Sequence, residues 1–195
     1  MTDMQVQGTA NPLATDGFEF VEYTAPDAQG IQNLKDLFLG LGFAEVAKHK
    51  NKNVWLYRQG DINFVVNAEP NSHAENFAHQ HGASVNGMAW RVKNAAKAMD
   101  HAVAAGAKPF TGKIGPMELN IPAIKGIGDS LIYLVDRYGD KGSIYDVDFI
   151  FEEGEERHPQ GAGLTYIDHL THNVHRGRMD EWAEFYTRLF NFKEI

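Results

Sequence analysis

Residues 169–175 read HLTHNVH and place three imidazoles, His169, His172 and His175, at intervals of three. Imidazole is a common ligand for zinc, copper, nickel and iron. On a helix, neighbours at that spacing would share a face. The β-branched residues Ile167, Thr171 and Val174 instead favour an extended chain over 166–174. Alternation along a strand puts His169 with Ile167, Thr171 and Asn173 on one face, and His172 with Asp168 and Leu170 on the other. His169 and His172 then cannot hold one metal, so at most one of them belongs to a common site. By itself a strand histidine reads more simply as a side chain hydrogen-bonded within a sheet.

Three further histidines, His73, His79 and His81, fall within HAENFAHQHG. His79 and His81 would share a side of a strand, but residues 69–84 are polar and turn-rich. The segment reads as a solvated surface connection with no cysteine or spaced carboxylate to complete a zinc site. Gly126-Ile127-Gly128 lacks the third glycine and the following helix of a phosphate-binding loop. The acidic run at 152–156 reads as a solvated face.

Of the 195 residues, 43% are hydrophobic and 11% aromatic, which suffices for a core and argues against disorder. The formal net charge of −8, without a basic run, leaves no electrostatic footprint for nucleic acid or an anionic membrane. The absence of cysteine excludes disulfides, thiolate metal sites and a cysteine nucleophile, and fits a cytoplasmic protein. No apolar run approaches the roughly 20 residues of a membrane span, and residues 1–16 lack signal-peptide features and read as a flexible polar tail.

The elements that must position the histidines follow from periodicity. Phe18 and Phe20 alternate with acidic residues in a first strand, and Pro26-Asp27 open a helix carrying Ile31, Leu34, Phe38 and Leu41 on one face. Strands are expected at 43–49, 53–59 and 62–67. A second cycle has a strand at 86–92, a helix capped by Asn94 with Ala95, Met99, Ala102 and Val103 on one face, and strands at 108–110, 118–121 and 130–135. Residues 148–151 form a last apolar run, and the charged, Gly-rich 152–163 reads as a linker. Residues 164–195 start the pattern a third time: a strand, a helix with Met179, Trp182, Phe185, Tyr186 and Leu189 on one face, and the beginning of a strand at 192–195. In that comparison Phe20, or Glu22 after a two-residue gap, corresponds to His169. The expected fold is α+β, with paired βαβββ modules at 17–68 and 85–151 forming a curved mixed sheet with helices outside, followed by the truncated start of a second such domain.

Paired βαβββ modules resemble the glyoxalase-like vicinal oxygen chelate superfamily. IDHLTHNVHRGRMDEWAEFYTRLFNFKEI, together with GFEFVEY, LFLGLGF and HGASVNGMAWRV, resembles the 4-hydroxyphenylpyruvate dioxygenase family. That resemblance implies a non-haem Fe(II) enzyme that binds 4-hydroxyphenylpyruvate and O2, forms homogentisate and CO2 in tyrosine and phenylalanine catabolism, and works as a homo-oligomer. It selects His169 as the first of two histidines and one glutamate on the iron, with the other two beyond Ile195, and puts Thr171 in the substrate pocket. Residues 17–151 are then a non-catalytic domain and the chain is inactive alone. A different reading makes it a complete, non-enzymatic small-molecule-binding module of the same superfamily.

Overall fold

The computed structural model describes residues 10–194. Its elements are β1 (Thr15–Thr24), α1 (Ala28–Gly40), β2 (Ala44–His49), β3 (Val54–Gln59), β4 (Ile62–Asn67), α2 (His73–His81), β5 (Ser84–Val92), α3 (Ala95–Ala104), β6 (Pro109–Phe110), β7 (Ala123–Lys125), β8 (Leu131–Val135), α4 (Tyr145–Asp148), β9 (Phe149–Phe151) and α5 (Met179–Phe190).

The nine strands form one mixed sheet in the order β6-β7-β8-β5-β1-β4-β3-β2-β9. β1 runs parallel to β4, and β5 runs parallel to β8. The two βαβββ modules meet where β1 and β5 pair antiparallel, with Phe20 opposite Ala89 and Val21 opposite Met88. Each module therefore has the same internal order, as the repeat predicts, and an open mixed sheet results.

Side-chain alternation splits the sheet into two faces. Ile31 and Phe38 of α1 pack with Phe43, Tyr57, Ile62 and Val66 on one face. Beside them Ala95, Ala98 and Ala102 of α3 pack with Met88, Val92, Ile124, Ile132 and Leu134. The opposite face carries Phe20, Val54, Val65, Ala89 and Val135, covered by Ile144 and Tyr145. Local capping fixes the helix starts: Asp27 accepts the Gly30 N–H at 2.7 Å and Asn94 accepts the Lys97 N–H at 2.9 Å.

Several expectations change. Residues 1–9 of the expected tail lie outside the described residues, but Thr15 and Asp16 already belong to β1 and Leu13 is buried in the core. Residues 69–84 contain α2: Ser72 accepts the Glu75 N–H while the Glu75 carboxylate accepts the Asn71 N–H, a helix-start pattern written in Ser72-x-x-Glu75. No strand forms at 118–121; β7 lies later, at Ala123–Lys125. The run expected to end the second module forms β9, which pairs with β2 of the first.

The stretch expected as a strand at 166–174 has no regular structure. A strand is held by ladder hydrogen bonds to a neighbour, and among the described residues no strand of the sheet pairs with this stretch. Residues 191–194 are likewise irregular. The helix between them forms as its periodicity predicts, and Leu189 and Phe190 enter the core cluster built on α3 and β5.

Candidate functional site

His169 sits on an exposed stretch before α5. Its side chain is 74% exposed and its Nδ1 lies 2.8 Å from the Asp168 carboxylate. His172 leans on the Tyr186 ring, with centroids 5.8 Å apart. Thr171, His172 and His175 line a cleft with His81, Arg178 and Trp182, and His169 is not among the residues that line it. Thr171 and His169 are thus not brought together around one cavity. Among the described residues no group of three or more His, Asp or Glu side chains could hold a metal ion. His169 supplies one donor, which by itself does not define an iron site.

The histidines of residues 73–81 have structural roles. His73 Nε2 donates to the Asp129 carbonyl at 2.8 Å, and His81 Nε2 donates to the Gly128 carbonyl at 3.0 Å. Both clamp the turn that begins at Gly126-Ile127-Gly128, whose carbonyls serve as acceptors for α2. His79 is exposed.

A second cleft of the described chain lies on the sheet face opposite α1 and α3. It is a cavity of about 200 Å³ between the two modules, lined by Phe20 and Glu22 of β1, Val65 and Asn67 of β4, and Tyr133 of β8, and bounded by Lys52, residues 118–121 and Tyr145. Glu22 is only 6% exposed. One of its oxygens, Oε1, accepts the Asn67 side-chain amide at 3.2 Å and the Asn86 side-chain amide. Burial nevertheless holds this carboxyl above its ordinary range, against the pull of those two amides. Burial also holds the Tyr133 hydroxyl well above its usual value, so it remains protonated. At the rim Lys52 pairs with Glu118 at 2.6 Å, and Glu118 also accepts the Gly115 N–H at 2.7 Å. His49 is held below its ordinary value by burial and stays neutral near pH 7.

Glu22 was visible in the sequence only as one of two possible counterparts of His169. Asn67, Asn86 and Tyr133 carried no signal, because their convergence depends on β4, β5 and β8 meeting β1 across the sheet. In place of a metal set, this position holds a carboxyl group clasped by two amides.

Comparison with known proteins agrees with this architecture. Residues 9–150 match the family described as hydroxyphenylpyruvate dioxygenase, N-terminal. "Hemolysin VllY" of Vibrio vulnificus is 64% identical over 187 residues, covering 95% of this chain and 52% of that protein. A 4-hydroxyphenylpyruvate dioxygenase of Pseudomonas aeruginosa is 57% identical over 185 residues, again covering 95% and 52%. Among solved structures, a "xylose isomerase-like TIM barrel/4-hydroxyphenylpyruvate dioxygenase fusion protein" superposes with a TM-score of 0.80 at 38% identity, covering 98% of this chain and 30% of that one. The chain spans about half the length of the first two relatives. With more than half of its residues matched and its two modules joined through β1 and β5, the chain belongs to the hydroxyphenylpyruvate dioxygenase family, as its N-terminal portion.

Proposed function

We propose that this chain is the N-terminal part of a cytoplasmic, homo-oligomeric, non-haem Fe(II) dioxygenase that converts 4-hydroxyphenylpyruvate and O2 to homogentisate and CO2 in tyrosine and phenylalanine catabolism. The observation that carries the reading is the 57% identity, over 95% of the chain, to a protein named 4-hydroxyphenylpyruvate dioxygenase. The reaction is an oxidative decarboxylation with ring hydroxylation and side-chain migration: the keto acid's carboxyl group leaves as CO2, and both atoms of O2 end in homogentisate, one in its new carboxyl group and one as the ring hydroxyl. In this reading His169 is one of three iron ligands in the longer protein, and Thr171 lines the substrate pocket. Residues 10–151 act as a scaffold: the α3 and β5 core receives Leu189 and Phe190 and so fixes the helix that follows the ligand segment.

The test compares the purified 195-residue chain with the longest product of its reading frame, each given Fe(II), ascorbate and 4-hydroxyphenylpyruvate. Homogentisate is expected from the longer product alone, and His169→Ala in that product is expected to abolish it together with stoichiometric iron. Homogentisate from the short chain, full activity in His169→Ala, or an inactive iron-loaded long product overturns the proposal.

A further inference from the structure

Residues 152–163 read in the sequence as a linker, yet the chain that leads to His169 is held over most of its length. Four consecutive residues of the β3–β4 hairpin grip it. Arg58, itself buried, donates through Nη1 to the Arg157 carbonyl at 2.8 Å. The Gln59 side-chain oxygen accepts the Ala162 and Leu164 N–H groups at 2.6 and 3.2 Å. Gly60 N–H donates to the Pro159 carbonyl at 2.8 Å, and Asp61 N–H to the Thr165 carbonyl at 3.0 Å. Between these bonds the backbones touch. A Cβ on Gly60 would stand 2.7 Å from the Leu164 carbonyl oxygen, and one on Gly161 would overlap the Gly42 carbonyl oxygen.

The hold continues on both sides of the histidine. Ile167 packs against the cluster of Phe38, Phe43, Tyr57 and Val66 in the first module. Leu170 packs against the cluster of Met88, Ala102 and Leu134 in the second. Asp168 and His169 between them are exposed. An extended chain covers at most about 3.6 Å per residue, so Thr165 tethers His169 within about 14 Å and Ile167 within about 7 Å. Segments open easily when few of their backbone groups and apolar side chains are engaged. Here backbone groups are engaged up to Thr165, and apolar side chains on either side of His169.

We infer, resting on the dioxygenase reading for the role of His169, that the hairpin residues Arg58–Asp61, with Gln59 at their centre, are positioning residues for that imidazole. They make 157–165 a strut rather than a free linker, and the strut sets where His169 stands in the longer protein. Such residues act on catalysis through geometry, where a misplacement of about 1 Å can cost about a hundredfold in rate.

Three variants test this. Gln59→Leu removes the acceptor of two N–H groups, and Gly161→Ala pushes the strut off the hairpin from its own side. Ile132→Val, at a fully buried position in the core of the second module, is a destabilised control that touches neither. In the 195-residue chain, amide exchange at 162–170 relative to that of β3 is expected to rise about tenfold or more in the first two variants. Ile132→Val is expected to keep the wild-type ratio. In the longest product of the reading frame, the first two are expected to lower kcat per bound iron about tenfold or more, with KM for 4-hydroxyphenylpyruvate within about threefold of wild type. Ile132→Val is expected to keep its kcat. Gly161→Ala stands as the test if Gln59→Leu does not fold. Wild-type exchange ratios in the folded variants, an unchanged kcat in an active product, or an equal loss in Ile132→Val overturns the inference. An inactive iron-loaded wild type overturns the dioxygenase reading and, with it, the role given to His169; the exchange ratios are read separately and alone decide whether the strut is held.

Discussion

The side-chain oxygen of Gln59, at the end of β3, accepts the backbone N–H of Ala162 at 2.6 Å. The same oxygen accepts the Leu164 N–H at 3.2 Å, while the Gln59 amide donates to the Leu41 carbonyl at 3.0 Å. Gln59 has 0% exposure, so one buried amide ties the α1 end to residues 159–165. Around it Gly60 N–H donates to the Pro159 carbonyl at 2.8 Å and Asp61 N–H to the Thr165 carbonyl at 3.0 Å. The fit leaves no room at Gly161, where a Cβ would stand 2.1 Å from the Gly42 carbonyl oxygen.

Replacing Gln59 with Leu is therefore expected to cost about 1–3 kcal/mol in urea unfolding, because two N–H groups and a carbonyl lose their partner. The Ala162 and Leu164 amides should exchange with solvent faster than those of β3. Unchanged exchange at both would show that the segment is held by other contacts.

Glu22 predicts a pH dependence of stability. Its folded-state pKa is raised by burial above the ordinary 4.5. Between those two values the unfolded chain has released its proton while the folded chain keeps it, so stability falls as pH rises, by up to about 1.4 kcal/mol per pH unit. Glu22→Gln keeps an oxygen for Asn67 and Asn86 and removes the titration. The stability difference between wild type and Glu22→Gln should be constant below the unfolded value and move against wild type above it. A difference that stays flat from pH 4 to pH 8 would remove this account.

Leu189 contributes from α5 to the cluster that holds Met88, Val92 and Leu134, and it has 0% exposure. Leu189→Ala is expected to destabilise the chain by about 2–5 kcal/mol through lost burial and a residual cavity. Leu164→Ala, at an exposed position, should stay within about 0.5 kcal/mol of wild type. Equal effects of the two would contradict the docking of α5.

His169→Ala should leave the unfolding free energy of the 195-residue chain unchanged within about 0.5 kcal/mol, since the imidazole is exposed and, among the described residues, pairs with Asp168. In calorimetry neither form should bind Fe(II) in a defined stoichiometry. Tight one-to-one binding abolished by His169→Ala would reveal a metal site that the described residues do not show.

Most of the fold was legible because it is written locally. The alternation in β1, the helical stripe Ile31, Leu34 and Phe38, and the caps Asp27 and Asn94 are each set by neighbours in sequence, and their repetition gave two βαβββ modules. The expected surface connection at 69–84 concealed a helix whose start signal, Ser72-x-x-Glu75, was present but outweighed by a polar composition. The site was less legible. His169 entered through resemblance to a family, whereas the cavity depends on Glu22, Asn67, Asn86 and Tyr133, which lie on four strands.

The sequence by itself determined the two modules, the amphipathic α5 and the family, because periodicity and short motifs survive without tertiary context. Only the tertiary structure decided that residues 166–174 stay irregular, since a strand needs a partner's hydrogen bonds as well as β-branched side chains. Likewise, only pairing of β1 with both β4 and β5 could bring two amides to one oxygen of Glu22.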